Sequence, residues 1–121
     1  MTQYFKSVLE LDTSPIVLCD CDHKILYMNP AAVTRYARAG GEKLIGRSVL
    51  DCHAPAGKAR IQQVLNWFAE STDHNRVHTM YVEKENLDVY MIALRDEKGN
   101  LIGYYEKQAS RNRDMTPLYD C

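Results

Sequence analysis

Three strand-length apolar runs follow one another in the C-terminal part of the chain, and this feature most limits the folds open to it. The runs cover residues 76–84, 87–95 and 101–108. Turn-forming residues separate them at Glu85-Asn86 and at 96–100. Successive strands joined by short turns of this kind pair in antiparallel fashion. The sequence therefore predicts an antiparallel sheet that contains all three runs.

The run at 87–95 indicates that both faces of this sheet need cover. Alternate residues of a strand point to opposite faces. One face carries Leu87, Val89, Met91 and Ala93, and the other carries Asp88, Tyr90, Ile92 and Leu94. Both sets are largely apolar, whereas a strand with one solvated face alternates apolar and polar residues. Helices inserted within the fold cover only one of the two faces.

Two further strands and several short helices are predicted ahead of the sheet. Residues 16–19 and 25–28 are apolar runs on either side of the turn-forming segment 20–24, a pattern typical of a hairpin. Asn29 can cap the free amides of a helix that starts at Pro30, and short helices are expected at 31–39 and 42–45.

The clearest helix is predicted at 58–71, where apolar residues recur at helical spacing. These residues are Ile61, Val64, Leu65 and Phe68, with Trp67 at the side of the stripe. The full order of elements predicts an α+β fold, namely a five-stranded antiparallel sheet with helices on one face.

A short amphipathic helix is predicted at the N-terminus, with Tyr4, Phe5, Val8 and Leu9 close to one face. We expect it to pack on the outer face of the sheet, either its own sheet or that of a second copy in a homodimer. The alternative is docking within one chain. The predicted organisation is a helix at 1–12, a domain at 13–110 and a polar tail at 111–121.

Charge and motif content exclude several functional classes. Fifteen basic and sixteen acidic side chains give a net charge of −1, which offers no footprint for nucleic acid or for an anionic membrane. The serines lie in no nucleophile motif, and no phosphate-binding glycine loop is present, so we expect no enzymatic activity. The four cysteines include no Cys-x-x-Cys pair, and reduced thiols in a cytoplasmic protein are expected.

Several segments resemble the PAS family of sensor domains, in the order typical of that family. Residues 16–32 have the sequence IVLCDCDHKILYMNPAA, which resembles the PAS opening of two strands around an aspartate turn. LIGRSVL at 44–50 and DEKGNLIG at 96–103 are similar to later PAS segments. VLDCHAP at 49–55 resembles the "DCHPP" variant, with Ala54 in place of the first proline.

The resemblance implies a sensor that binds a small apolar ligand between the sheet and the segment 48–68, and that acts on a separate effector protein. The candidate ligand-binding or cofactor-binding residues are His53, Cys52, Met80, Met91, Tyr36 and Trp67. An alternative hypothesis is a protein-interaction module that binds no ligand and whose own side chains fill the cavity.

His53 is the main candidate ligand for a cofactor. The "DCHPP" resemblance implies similarity to bacterial haem-PAS regulators, in which His53 would be an axial ligand of haem iron and Met80 a second one. The simpler interpretation is a histidine that hydrogen-bonds the backbone of its loop. The cofactor itself is not identified by the sequence.

Two weaker candidates accompany His53. Cys52 is either a redox-sensitive thiol beside an imidazole or, the favoured interpretation, a small buried residue that fills space. His78 and Met80 would share one strand face, near His74, and suggest a transition-metal site. Solvent-exposed histidines are the commoner explanation of that pattern.

Overall fold

The structure is a computed structural model that describes residues 1–119. Cys121 and the end of the predicted tail 111–121 therefore lie outside the described residues. The helices are α1 (Thr2–Glu10), α2 (Pro30–Arg35) and α3 (Pro55–Glu70), and the strands are β1 (Ile16–Asp20), β2 (Ile25–Met28), β3 (Arg76–Val82), β4 (Leu87–Arg95) and β5 (Leu101–Ser110). Short 3-10 helices cover Ala37–Ala39, Gly41–Leu44, Val49–Cys52 and Glu83–Glu85.

The five strands form one antiparallel sheet in the order β2-β1-β5-β4-β3. The predicted α+β fold and its five-stranded sheet are confirmed. The first and last strands lie side by side in the middle, because β1 pairs with β5 across the length of the chain. The helix predicted at 58–71 begins earlier, at Pro55, because proline fits the first helical turn after the extended residue Ala54.

The inner face of the sheet packs on α3 and the short helices. Its central side chains are Val17 and Cys19 on β1, Met91 on β4 and Tyr104 on β5, all of them buried. Phe68 of α3 is completely buried against them. This arrangement matches the predicted inner set of β4 and the predicted apolar stripe of the long helix.

Gly103 permits the close approach of the two central strands. It lies opposite Asp20 of β1, and a side-chain carbon at this position would stand 2.1 Å from the carbonyl oxygen of Cys19. No side chain fits at that distance. The hydrogen-bonded contact between β1 and β5 therefore requires glycine at 103.

Asn29 joins the N-terminal segment to the domain. Its side-chain oxygen accepts hydrogen bonds from the amides of Ile16 and Ala32, each 2.9 Å long. Its side-chain amide donates to the backbone oxygens of Leu9, Asp12 and Ser14. The predicted cap of α2 is thus confirmed, and the same side chain also fixes the end of α1.

The apolar side chains of α1 are exposed in the single chain. Tyr4, Phe5 and Val8 keep between 63% and 70% of their surface in contact with solvent, and no residue of α1 is buried. The docking of this face within one chain is therefore not observed, since only the C-terminal end of the helix is tethered. Packing of α1 on a second copy stays a prediction.

No helix among residues 1–119 combines the length and the apolar character that a bilayer crossing requires.

Candidate ligand-binding site

A first cavity of about 220 Å³ lies between β1, β2 and the short helices. Most of its lining is apolar and consists of Val17, Ile25, Met28, Ala39, Leu44 and Val49. The remaining lining residues carry polar groups and are Tyr36, Cys52, His53 and Glu106. The cavity thus offers an apolar surface with a few polar groups on one side, as ligand sites generally do.

A second cavity of about 210 Å³ lies beside the first, under β3 and β4. Three of its lining residues, Tyr36, His53 and Glu106, also line the first cavity. Its apolar wall includes Ile61, Met80, Val82, Val89 and Met91. Arg35 and Arg60 line it as well. The shared polar residues therefore form a partition with a cavity on each side.

His53 follows the 3-10 helix Val49–Cys52 and comes just before α3. Its Nδ1 lies 2.9 Å from the carbonyl oxygen of Val49. A carbonyl oxygen only accepts, so Nδ1 carries the hydrogen and the neutral ring keeps a lone pair on Nε2. The predicted hydrogen bond to the loop backbone is present. It fixes the ring while leaving Nε2 available as an acceptor or a metal ligand.

Glu106 is the charged residue at the centre of the site. It lies on the inner face of β5, opposite Val17 of β1 and Met91 of β4. Its side chain is half-buried and lines both cavities. Burial raises the pKa of Glu106, and the nearby imidazole of His53 opposes that rise.

Tyr36 is fixed by Gln108, two positions after Glu106 on the same strand. The side-chain amide of Gln108 donates a 2.7 Å hydrogen bond to the hydroxyl oxygen of Tyr36. Burial, helped by the charge of Glu106, raises the pKa of Tyr36 to about 12. This hydroxyl therefore stays protonated at neutral pH and keeps its own hydrogen as a donor.

The structure brings most of the predicted site residues to the cavities. His53 and Tyr36 line both cavities, Met80 and Met91 line the second, and Cys52 lines the first. Trp67 lines neither of them. It is 38% exposed and its ring stacks on His74, with ring centroids 3.8 Å apart.

Two sequence interpretations are wrong. Cys52 is exposed rather than buried, because it lies at the exposed end of a short helix whose first residue, Val49, is the buried one. His78 and Met80 do not share a face, since the pairing register shifts between them. The irregularity leaves His78 opposite Tyr90, which belongs to the outer set of β4, while Met80 lies opposite the inner Val89.

The predicted histidine metal site is also not formed. His78 contacts Asp88 through Nε2, at 2.7 Å, and His74 stacks on Trp67. Within residues 1–119, no group of three or more His, Cys, Asp or Glu side chains could hold a metal ion. Of the two predicted ligands of a haem iron, His53 lines both cavities and Met80 lines the second.

Glu106 and Gln108 were not among the predicted site residues. A signal for both was present, because Tyr104, Glu106 and Gln108 alternate along the strand predicted at 101–108. If Tyr104 faces the core, the other two must face it as well. A carboxylate on the inner face of a central strand is unusual, and such a residue is therefore a candidate for a functional position.

A model of the family described as the PAS fold matches residues 9–108. The chain belongs to the PAS-fold family. The sheet order and the cavity between sheet and helices are thus those of a PAS domain. A search of curated proteins finds none that matches this sequence.

Solved structures support the same fold. The PAS domain of a protein from Colwellia psychrerythraea is 15% identical, with a TM-score of 0.67 over 90% of this chain and 95% of that one. The Aer2 receptor of Vibrio cholerae, described as a dual PAS-heme oxygen sensor, is 18% identical, with a TM-score of 0.59 over 82% and 95%. VqmA of Vibrio cholerae bound to DPO is 16% identical, with a TM-score of 0.62 over 93% and 58%. Such low identities establish the fold alone.

Proposed function

We propose that this PAS domain is a non-catalytic sensor that binds a small ligand in the cavities beside His53 and Glu106. The observation that carries the proposal is the partition of Tyr36, His53 and Glu106 between two apolar cavities. Empty space inside a domain lowers its stability, and buried polar groups without partners lower it further. A bound molecule would remove both costs.

The volumes restrict the ligand to a small molecule. The cavities measure about 220 and about 210 Å³, while sites for drug-sized ligands span about 300–1,000 Å³. A ligand of modest size would fill the first cavity and place its polar group against the partition. Met80 and Met91, whose side chains adapt their shape, would allow some extension into the second cavity.

A haem-dependent sensor is the second candidate, because the histidine geometry favours it. The hydrogen bond from Nδ1 of His53 to the carbonyl of Val49 is typical of histidines that bind metals through the other nitrogen. The Aer2 receptor shows that this fold accepts haem in another protein. The donors therefore fit, but neither cavity has the volume for a macrocycle, and we derive no step through haem.

An absorption spectrum tests the haem alternative. The small-ligand proposal expects no Soret band after incubation of the purified protein with haem. A band that disappears in His53→Ala would establish haem ligation by this residue. A band that persists in His53→Ala would indicate adventitious binding elsewhere.

We further propose that the domain pairs with a second copy through α1 and the outer face of the sheet. Burial raises the pKa of Tyr27, which lies opposite the outer-face residue Leu18, to about 12, and Glu10 at the end of α1 adds to that rise. Asp12 joins the same face through an ion pair with Lys107, 3.2 Å long. The exposed apolar side chains of α1 thus begin beside the outer face of the sheet, on which a second copy would pack.

Signal output would leave the domain after β5 and reach a separate effector protein. Arg111, the first residue after β5, is held on the domain by Asp88 of β4. Asp88 lies on β4, whose inner residues Val89 and Met91 line the second cavity. A ligand that shifts β4 would therefore change the contact between Asp88 and Arg111 that holds the start of the C-terminal segment.

Native mass spectrometry of the purified protein tests the ligand proposal. We expect a small molecule that stays bound under native conditions and is released on denaturation. Ala39→Phe would block the first cavity, which Ala39 lines, and should abolish this retention. Ala37→Phe adds the same ring to the same short helix at a residue that lines neither cavity, and should leave retention unchanged. Apo protein under every preparation would instead support the ligand-free interaction module.

A further inference from the structure

Glu106 places an acid where the fold otherwise places apolar side chains. Its neighbours across the sheet, Val17 and Met91, are buried, with 5% and 2% exposure. Charged residues are rarely buried at such positions unless they are paired, because removal of a charge from water is costly. A carboxylate at this position does not stabilise the sheet, so we looked for the role of Glu106 among the groups and cavities that its side chain faces.

Among residues 1–119, the Glu106 carboxyl accepts no hydrogen bond and forms no ion pair, and a protonated His53 imidazole would act on it through charge. The cationic side chains of the second cavity are engaged elsewhere. Arg35 is paired with Glu85, and Arg60 donates to the carbonyl of Thr79. On the other face of the same strand, Lys107 is paired with Asp12. Arg60 keeps its charge, but among the described residues neither arginine forms an ion pair with Glu106, so the carboxyl has no ion-pair partner when the His53 imidazole is neutral.

The groups around Glu106 add one acceptor nitrogen and one hydroxyl donor. In the neutral form of the His53 imidazole, Nε2 holds a lone pair, because Nδ1 donates its hydrogen to the carbonyl oxygen of Val49. The hydroxyl oxygen of Tyr36 accepts from Gln108 and keeps its own hydrogen to donate. The partition thus presents a carboxylate and an imidazole nitrogen to any bound molecule. Such a pair calls for a ligand with several N–H donors and a positive charge.

We propose that the cavity ligand is a small organic cation whose ammonium or amidinium group binds Glu106 and His53. This inference rests on the ligand-binding function proposed above and specifies the chemical class of the ligand. The apolar body of the cation lies in the first cavity, against Ile25, Met28 and Leu44. The charged group donates to the Glu106 carboxylate and to Nε2 of His53, and so supplies the partner that the protein lacks.

Three probes of one shape and different charge test this inference. Phenethylammonium, phenethyl alcohol and phenylacetate share a phenyl ring on a short arm and carry positive, zero and negative charge. Calorimetric titration of the full chain at neutral pH should show phenethylammonium binding at least about tenfold more tightly than the alcohol, since hydrogen bonds to charged groups exceed neutral ones by that order. Phenylacetate should bind most weakly.

Glu106→Gln keeps the shape of the side chain and removes its charge. We expect this variant to lose the preference for the cation while its affinity for phenethyl alcohol stays within about twofold. Glu70→Gln, at an exposed position of α3, is the matched control and should bind like the wild type. Wild-type affinity for phenethylammonium should also fall at acidic pH, as the carboxyl of Glu106 takes up a proton. His53, Cys52, Tyr36, Arg35 and Arg60 are the other titratable groups that line the cavities.

Equal binding of the three probes, a preference for phenylacetate, or no binding of any of them by the wild type would overturn the cation assignment. Cation selectivity that survives in Glu106→Gln would overturn it too. Each of these results leaves the sensor function to be judged separately by the Ala39→Phe and Ala37→Phe pair. Loss of retention in Ala39→Phe alone would preserve that function with a ligand of another class.

Discussion

Arg111 donates two hydrogen bonds, each 2.7 Å long, to the two carboxylate oxygens of Asp88. The same guanidinium lies 4.1 Å above the ring centroid of Tyr81. Asp88 also contacts His78, so this carboxylate joins β3, β4 and the segment that follows β5. The C-terminal segment thus starts from a fixed point instead of leaving the sheet freely.

Replacement of Arg111 by alanine should release this segment. Arg111 lowers the pKa of Asp88 most strongly, with a further contribution from His78, so the stabilisation is present above the ordinary value of 3.8 and is lost as pH falls through the lowered value. We expect Arg111→Ala to have a lower denaturant midpoint than the wild type at neutral pH, with a difference that vanishes in acid. Amides of 111–119 should exchange faster in the variant. Arg113→Ala, two residues further along, is the control, and equal effects of both changes would contradict a specific latch.

Glu106→Gln should stabilise the protein at neutral pH in the absence of ligand. The raised pKa means that the folded chain holds this proton more tightly than the unfolded chain, so stability is full below the ordinary value of 4.5 and falls as pH rises through the folded value. A glutamine side chain does not titrate, so the variant does not lose stability in this way as pH rises. The advantage of the variant should grow by about 1.4 kcal/mol per pH unit across that interval.

Urea denaturation of Glu106→Gln and Glu70→Gln at a series of pH values measures this difference. A constant difference between Glu106→Gln and the wild type at all pH values would show that the carboxyl does not titrate in the way its burial requires.

Gly103→Ala should damage the sheet, because the added carbon would meet the carbonyl oxygen of Cys19 at 2.1 Å. We expect a loss of about 3 kcal/mol or more, at the upper end of overpacking effects. Gly57→Ala is an informative comparison, since its added carbon would stand 3.3 Å from the His53 side chain. That change should disturb ligand binding more than stability, and similar stability losses in both variants would contradict this distinction.

Self-association should depend on the exposed face of α1. Sedimentation velocity of the full chain is expected to show a dimer, and the double change of Phe5 and Val8 to serine should give a monomer. These side chains are already exposed in the single chain, so the change should not unfold it. Leu118→Ser with Tyr119→Ser removes equally exposed apolar groups from the C-terminal segment, and this control should stay dimeric. A monomeric wild type, or a dimer that survives in the α1 variant, would contradict the proposal.

The order of elements could be predicted because each has a local cause. Alternation marks β4, the turn chemistry of 20–24 and 96–100 marks the ends of strands, and Asn29 before Pro30 marks the start of α2. His53 could be predicted because it lies in the segment 49–55, which resembles a variant of one family.

The remaining features depend on contacts that a local pattern does not contain. His23 was read only as a turn residue, yet it is buried and bonds Tyr104 at 2.8 Å through Nδ1 and Gln62 at 2.9 Å through Nε2. The irregularity between His78 and Met80 places the two side chains on opposite faces of the sheet. No glycine or proline in that strand indicates such a shift. Trp67 lies on the predicted helix, but the neighbouring Phe68 faces the core, so Trp67 points to the side of the helix and is 38% exposed.

Methyl-group NMR spectra of the full chain, titrated with phenethylammonium, phenethyl alcohol and phenylacetate in turn, test most directly whether this domain receives small molecules in its interior. We expect at least one probe to shift the methyl signals of Leu44, Val49 and Met91 and to leave those of Leu18 and Leu94, on the outer face, unchanged. Interior signals that none of the three probes moves, or shifts confined to the outer face, would contradict it.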